Sequence, residues 1–184
     1  MMFSILICAL DERKEKLDKL LAEVQLQAQP HGNEIEILHE SDNRQMPTGK
    51  KRNVLIDRAI GDYVAFVDDD DWIDSEYVKL IIEACREGND CIGIKGIINF
   101  KTQQWAYFTH SIECTGWYTG VDGYYRTPNH LNPVKRNIAA KVRFNDLLYI
   151  GEDQDYSTRI LKYLKTETFI EKPIYHYWSR VKIA

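Results

Sequence analysis

Four consecutive aspartates at positions 68–71 have the residue type and spacing of a metal site. They directly follow the apolar run 63–67, which has the pattern of a buried strand. In open α/β sheets, ligands bind at the carboxyl ends of strands. A hard cation such as Mg²⁺ or Mn²⁺ would relieve the repulsion between the carboxylates. The alternative is a solvated acidic turn in which Asp71 or Asp74 caps the next helix. The position after the strand favours a metal site.

A second acidic group, Glu152 and Asp153, opens a predicted helix after Gly151. Carboxylates are favoured in the first turn of a helix by the helix dipole alone. If one of them faces a pocket, it is a candidate general base that takes a proton from a substrate hydroxyl. The residues themselves leave both interpretations open.

Basic residues, including Lys51 and Arg52, occupy the start of the helix predicted after position 48. Cations there oppose the helix dipole, but they suit a site that holds an anion beside free N–H groups. A solvated basic turn is the alternative. His176, near the end of the last predicted strand, is a candidate metal ligand, although a lone histidine among aromatic residues is more often a core or rim residue.

The elements that position these groups alternate between strands and helices. The sequence predicts strands at 3–10, 34–38 and 63–67, and helices at 11–29, 50–60 and 75–86, with Asp11 and Gly61 as caps. Three strand–helix units predict a parallel sheet with right-handed crossovers, hence an α/β fold with a Rossmann-like half. Further strands at 92–100, 105–109 and 174–178 and a helix at 152–164 follow.

The composition indicates one soluble globular domain rather than a disordered chain. The 184 residues are 44% hydrophobic, a share that is typical of a globular protein. Their formal net charge of −4 argues against a protein whose main role is to bind nucleic-acid phosphates. The four cysteines form no C-x-x-C pair, so neither a zinc site nor a disulfide framework is predicted. No apolar run reaches 18 residues, so we expect no transmembrane segment and a cytoplasmic protein.

The segments 4–7, 36–42, 49–53, 61–72 and 151–153, in this order, resemble the GT-A-fold glycosyltransferases of the large inverting family 2. The acidic run stands where that family has its D-x-D motif. The resemblance implies one glycosyltransferase domain over residues 1–184. Its nucleotide-sugar-binding half would be 1–95, and its acceptor and catalytic half would be 96–184.

The resemblance also implies roles for individual residues. A nucleotide-diphosphate sugar, by default a UDP-sugar, would lie across the strand ends, and Mn²⁺ or Mg²⁺ would assist its departure as a Lewis acid. Asp153 would be the general base, with Glu152 as the alternative. Asp70 would bind the metal, with His176 as a further ligand. The expected donor-binding residues are Asp42, Lys51, Arg52, Asp68 and Asp69.

The sequence leaves the acceptor open among a glycan, a lipid-linked saccharide, a protein and a modified nucleic acid. Aromatic residues between positions 105 and 125 are a possible acceptor platform, although we expect Trp105 and Phe108 to be core residues. Two other functions use similar residues. One is a metal-dependent phosphoryl-transfer enzyme or nuclease, and the other is a non-catalytic nucleotide-sugar-binding module.

Overall fold

The computed structural model describes residues 2–102 and 104–179. The strands in chain order are β1 Phe3–Leu10, β2 Ile35–Asp42, β3 Tyr63–Phe66, β4 Trp72–Ile73, β5 Cys91–Asn99, β6 Trp105–His110, β7 Tyr118–Gly120, β8 Gly123–Arg126, β9 Val134–Lys135 and β10 Glu167–Trp178. The helices are α1 Lys14–Ala28, α2 Thr48–Arg58, α3 Tyr77–Cys85, α4 Arg136–Val142 and α5 Glu152–Ile160.

The strands form one sheet in the order β2-β1-β3-β9-β5-β6-β8-β7, and β10 pairs with β5 and β4. The predicted parallel part is present, because β1 pairs parallel with both β2 and β3. The pair β5 and β10 is also parallel, whereas the short strand β9 joins β3 to β5 by antiparallel pairing. The carboxyl ends of β1, β2 and β3 therefore meet at one edge of the sheet.

Helices cover both faces of this sheet, which confirms the α/β fold class. Alternate side chains of β1 enter two different cores because successive residues of a strand point to opposite faces. Ile5 and Ile7 pack with α1 and α3, whereas Leu6 packs with α2, α4 and α5. All three are fully buried, and burial of each contributes about 1.5–3 kcal/mol.

Two predicted caps are wrong. Asp11 does not cap α1, because residues 11–13 form a short 3₁₀ turn and the Asp11 Oδ1 accepts a hydrogen bond from Ser41 at 2.5 Å. Gly61 does not end α2, which stops at Arg58. Gly61 instead lies against Ser4, where an added Cβ would be 2.5 Å from the Ser4 Oγ. Its glycine identity therefore reflects close packing on β1.

Element boundaries in the second half differ more from prediction. Helix α4 has no counterpart among the predicted helices, and β10 begins at Glu167 rather than at 174, with irregular register around Pro173. Phe108 is buried as expected, but Trp105 is 59% exposed, so its predicted core position is wrong. Within the described ranges, no helix is both long and apolar enough to cross a membrane.

Candidate active site

The acidic run begins where β3 ends, and its first member, Asp68, lies between two cationic or polar partners. Its Oδ1 accepts a hydrogen bond from the Arg52 guanidinium at 3.1 Å, and its Oδ2 is 3.2 Å from the His130 Nε2. Burial on its own would raise the pKa of Asp68, but the charges and hydrogen bonds of Arg52 and His130 hold that pKa well below its usual range. Asp68 is therefore an ionised carboxylate at neutral pH.

Two more members of the run bind protein groups that the sequence did not reveal. Asp69 is 2% exposed and accepts hydrogen bonds from the Leu10 N–H at 2.9 Å and from Arg13 at 2.6 Å. Asp71 accepts hydrogen bonds from the Tyr175 hydroxyl at 2.8 Å and from the Trp178 N–H at 2.9 Å. Protein donors therefore relieve part of the repulsion in the run, and the metal site stays a prediction.

The pKa values of these two carboxyls are raised. Burial is the main cause for both Asp69 and Asp71, and the neighbouring charge of Asp68 adds to the effect at Asp71. Each therefore holds its proton to a higher pH than an ordinary aspartate does. Both oxygens of each carboxyl also accept a hydrogen bond from a protein group, so these two residues are better placed to organise the loop than to bind a cation directly.

Asp70 is the member of the run that best fits a metal. Its side chain is 19% exposed and lies 3.1 Å from the Arg13 guanidinium. Among residues 2–102 and 104–179, no group of three His, Cys, Asp or Glu side chains is arranged to hold a metal ion. Mg²⁺ commonly takes only one or two protein carboxylates and completes its shell with substrate phosphates and water. The donor set thus fits a cation that binds together with a diphosphate.

His176, the other predicted metal ligand, faces away from Tyr175 because the two residues are neighbours in β10. Tyr175 contacts the acidic run through Asp71, whereas His176 is paired with Trp72 of β4. His176 lines neither of the two cavities described below. Its role as a ligand stays a prediction.

A cavity of about 350 Å³, here called the donor cavity, opens at the carboxyl ends of β1, β2 and β3. Asp68, Asp69 and Asp70 lie on one side of it. The other walls carry the basic or apolar residues Cys8, Leu10, Arg13, Arg44, Met46, Lys51, Arg52, Tyr149 and Ile150. The sequence analysis missed Arg13 and Arg44. A signal was available for Arg13, which is the first cation after β1.

Lys51, which lines this cavity, forms a largely buried ion pair with Asp42, which does not line it. The Lys51 ammonium donates to the Asp42 Oδ1 and also to the Ala9 carbonyl oxygen at 2.8 Å. The Asp42 Oδ2 accepts the Met46 N–H at 2.7 Å. Burial would raise the pKa of Asp42, but the hydrogen bonds from Lys51 and Met46 lower it overall. Both predicted donor-site residues are therefore held in place before any ligand arrives.

The amino terminus of α2 contacts the segment that precedes α5. The Gly49 N–H donates to the Leu148 carbonyl oxygen at 3.1 Å, and Thr48 donates to the Tyr149 carbonyl oxygen. A Cβ at Gly49 would lie 2.0 Å from the Asn145 carbonyl oxygen. These contacts occupy the Gly49 N–H, whereas Thr48 also lines the donor cavity. The anion site at this helix terminus stays a prediction.

Arg52 joins the two predicted acidic groups. Its Nε donates to the Glu152 Oε1 at 3.2 Å, and its guanidinium also contacts Asp68. The charge lies over the rings of Phe66 and Phe144, at 4.8 and 5.6 Å from their centroids. Arg52 and Glu152 are 3% and 5% exposed. The structure thus brings position 152 against the strand end that carries the acidic run.

A second cavity of about 240 Å³, here called the inner cavity, lies on the other side of this wall. It shares Arg52, Asp68, Glu152, Tyr149 and Ile150 with the donor cavity, and the first three form the polar part of the wall. Asp153 lines it, and the Asp153 Oδ1 accepts the Gln154 N–H at 2.9 Å. The remaining walls include His110, Arg126, Asn129, His130, Phe108, Leu131 and Tyr177. Of the two candidate bases, Asp153 faces this cavity alone, whereas Glu152 is bound to Arg52.

Several buried polar atoms on the walls of the inner cavity have no hydrogen-bond partner. They are the Nη1 of Arg52, the Nδ2 of Asn129 and the Nδ1 atoms of His110 and His130. Burial and the charge of Arg126 keep the pKa of His110 well below its usual value, so this imidazole is neutral. An unpaired buried polar group costs about 1–3 kcal/mol. Four such atoms belong to residues that line this one cavity.

Comparison with known proteins identifies the family at this point. The family model of glycosyl transferase family 2 matches residues 6–144. The chain belongs to this family. The family 2 membership predicted from the sequence is thereby confirmed, and glycosyltransferase is the enzyme class of the family. The matched region contains the acidic run, whereas Glu152 and Asp153 lie beyond it.

Solved structures of S. aureus TarS have the same GT-A architecture as this family 2 chain. TarS 1–349 aligns with a TM-score of 0.67 at 17% identity, over 97% of this chain and 60% of the other. The same fragment in complex with UDP-GlcNAc gives 0.64 over 100% and 60%, and in complex with UDP 0.63 over 97% and 61%. The chain therefore spans about 60% of the length of these TarS structures. No curated protein sequence matches it.

Proposed function

We propose that this chain transfers a sugar from a UDP-sugar to an acceptor hydroxyl, with inversion at the anomeric carbon and with the help of Mn²⁺ or Mg²⁺. One observation carries the proposal. The donor cavity and the inner cavity meet at a wall formed by Arg52, Asp68 and Glu152. A diphosphate on one side and a hydroxyl beside Asp153 on the other would approach a sugar from opposite directions.

The donor cavity suits a nucleoside diphosphate. Arg13 and Arg44 line it, and both are cations that can bind phosphate oxygens in bidentate fashion. Asp42 and Asp68 are held ionised and are the proposed contacts to ribose or base hydroxyl and N–H groups. The complexes of S. aureus TarS with UDP-GlcNAc and UDP support uridine as the nucleoside.

Asp70 would hold the metal together with the diphosphate. A divalent cation there supplies Lewis-acid stabilisation of the negative charge that develops on the leaving group. Arg13 contacts both Asp69 and Asp70, so this side chain must share or yield the Asp70 carboxylate when a cation binds. Its guanidinium would then be free to neutralise the diphosphate.

Asp153 is the proposed general base. The acceptor hydroxyl oxygen attacks the anomeric carbon, its proton passes to an Asp153 carboxylate oxygen, and the bond from the anomeric carbon to the diphosphate oxygen breaks with its electron pair leaving on UDP. A single displacement inverts the configuration. Cys8, which lines the donor cavity, is no rival nucleophile, because burial raises the pKa of its thiol to about 12.

A Mn²⁺-containing assay with UDP-GlcNAc and a broad acceptor panel tests this proposal. The expected result is sugar transfer or donor hydrolysis. The coupling constant of the anomeric proton in the NMR spectrum of the product should show the inverted configuration. Cleavage of DNA or RNA without loss of sugar from UDP-GlcNAc would indicate the nuclease alternative. UDP binding without turnover would indicate a binding module. The panel should include a glycan, a lipid-linked saccharide, a glycosylatable protein and a hydroxylated nucleic acid.

A further inference from the structure

Arg126 differs from every other arginine in the described ranges. The remaining eight, namely Arg13, Arg44, Arg52, Arg58, Arg86, Arg136, Arg143 and Arg159, each donate a hydrogen bond to a carboxylate or carbonyl oxygen. The Arg126 guanidinium is half-buried in the wall of the inner cavity. It lies 4.4 Å from the ring centroid of Trp117. The contact with the Trp117 ring uses the face of the guanidinium, so the N–H groups on its edge are available as hydrogen-bond donors.

Burial without an acceptor is unfavourable for this cation. Burial lowers the pKa of Arg126, and the charge of Asp153 is one of the opposing influences. Asp153 is therefore near enough to act on Arg126 through space without bonding to it. A buried guanidinium needs a partner to recover its lost hydration. A ligand in the inner cavity can supply this partner.

The surroundings hold Arg126 in a fixed place relative to Asp153. The indole N–H of Trp117, which stacks on Arg126, donates to the Ser157 Oγ at 3.2 Å. Thr127, the residue after Arg126, is 2.6 Å from the same oxygen. Ser157 is one helical turn beyond Asp153 on α5, so both lie on one face of that helix. Strand β8 and helix α5 thus present Arg126 and Asp153 to the same cavity.

We infer that the acceptor carries an anionic group, a carboxylate or a phosphate, close to the hydroxyl that is glycosylated, and that Arg126 binds this group. This inference rests on the proposed function and narrows it to a class of acceptor. Arg126 binds the anion through its planar fork, which matches both carboxylate and phosphate geometry. Asp153 receives the neighbouring hydroxyl. The inner cavity, at about 240 Å³, is smaller than sites for drug-sized ligands and suits one such unit.

Binding of matched acceptors tests the inference without requiring turnover. Methyl glucuronide against methyl glucoside, and glycerol 3-phosphate against glycerol, are titrated by NMR in the presence of UDP and Mn²⁺. We expect at least one anionic acceptor to bind about tenfold more tightly than its neutral partner, the effect of one charge-assisted contact. In Arg126→Gln that preference disappears, while the affinity for UDP stays at the wild-type value.

Two further variants keep the result interpretable. Arg126→Lys retains the charge but lacks the planar guanidinium, so it should keep only part of the preference for anionic acceptors. This variant replaces Arg126→Gln as the test if Arg126→Gln does not fold. Arg58→Gln, which changes an exposed arginine paired with Glu40, should behave as wild type.

Equal binding of neutral and anionic acceptors, or a preference that survives in Arg126→Gln, would overturn the inference. So would an Arg126-dependent preference for UDP-glucuronate over UDP-glucose without any among acceptors, because the anion would then belong to the donor. If the wild-type protein did not bind UDP at all, that result would instead count against the proposed function.

Discussion

Arg52 and Glu152 are separated by 100 positions in the sequence, and the Arg52 Nε donates to the Glu152 Oε1 at 3.2 Å in the wall between two cavities. The same guanidinium bonds Asp68 at the end of β3. One buried cation therefore sets the distance between Asp68, at the end of β3, and the helix that carries Asp153.

Arg52→Met should strongly destabilise the protein. The change leaves Glu152 buried with an uncompensated charge and removes one partner of Asp68, and breaking a buried ion pair in this way costs about 3–5 kcal/mol. Urea denaturation measures the free energy of unfolding. Arg58→Met, which breaks the exposed pair with Glu40, is the control and should change it by less than about 1 kcal/mol. Equal losses in the two variants would contradict the central role of Arg52.

Asp153→Asn should lower kcat by about 10²–10⁴-fold, the usual contribution of a general base. The Kd for UDP should hardly change, because Asp153 lines the inner cavity and not the donor cavity. Steady-state kinetics and calorimetric titration separate the two effects. Asp155→Asn, at a carboxylate that bonds Arg159 in the same helix, is the matched control.

Glu152→Gln distinguishes the two neighbouring acids. The amide oxygen can still accept the Arg52 Nε–H, so the variant should fold and lose less activity than Asp153→Asn. If Asp153→Asn were as active as wild type while Glu152→Gln were inactive, the base would be Glu152. If both variants transferred sugar normally, the base would come from another part of the chain.

Asp70→Asn should abolish the extra stabilisation that Mn²⁺ gives to the UDP complex. A ligand that binds only the folded state raises Tm by mass action, so wild type should melt higher with UDP and Mn²⁺ than with UDP alone. In the variant the two melting temperatures should coincide. Asp18→Asn, at an exposed carboxylate of α1, should keep the difference. If Mn²⁺ raised the Tm of the UDP complex of Asp70→Asn as much as it does in wild type, Asp70 would not be a metal ligand.

The sequence predicted the amino-terminal part of the fold well, because its signals are local. Strand β1 has the predicted bounds, since a continuous apolar run needs burial on both faces. The predicted strand after it was too short at its end, because polar residues up to Asp42 still pair with β1. Helix α4 and the start of β10 were missed, since tertiary contacts rather than periodicity determine them.

The sequence singled out candidate residues of the site but not the contacts that they make. The acidic run and the pair Glu152 and Asp153 could be found because carboxylates after a strand or at a helix start are conspicuous. Their partners could not, because Tyr175 and His130 reach the run from positions 104 and 62 residues away from the aspartates they contact. No local pattern reveals such pairings.

The ion pair between Asp42 and Lys51 should make stability depend on pH in a defined direction. The pKa of Asp42 is lowered in the folded protein, so its contribution is fully present above the unfolded value, near 3.8, and is lost as the pH falls through the folded pKa. The difference in free energy of unfolding between wild type and Asp42→Asn should therefore be largest at pH 6–7 (roughly) and shrink in acid. A difference that grows on acidification would contradict the pairing.

The contact between Arg52 and Glu152 also constrains the order in which the molecule can assemble. A nascent chain that has emerged only through α2 has the arginine but not the acid that compensates it, and Asn53, which bonds Phe144 at 2.9 Å across 91 positions, likewise waits for its partner. Contacts of such long sequence separation form late, because a large loop must close first. The wall formed by Arg52, Asp68 and Glu152 therefore cannot be completed until residue 152 has been synthesised. A product that is truncated before this residue would carry Arg52 and Asp68 without the acid that compensates the arginine.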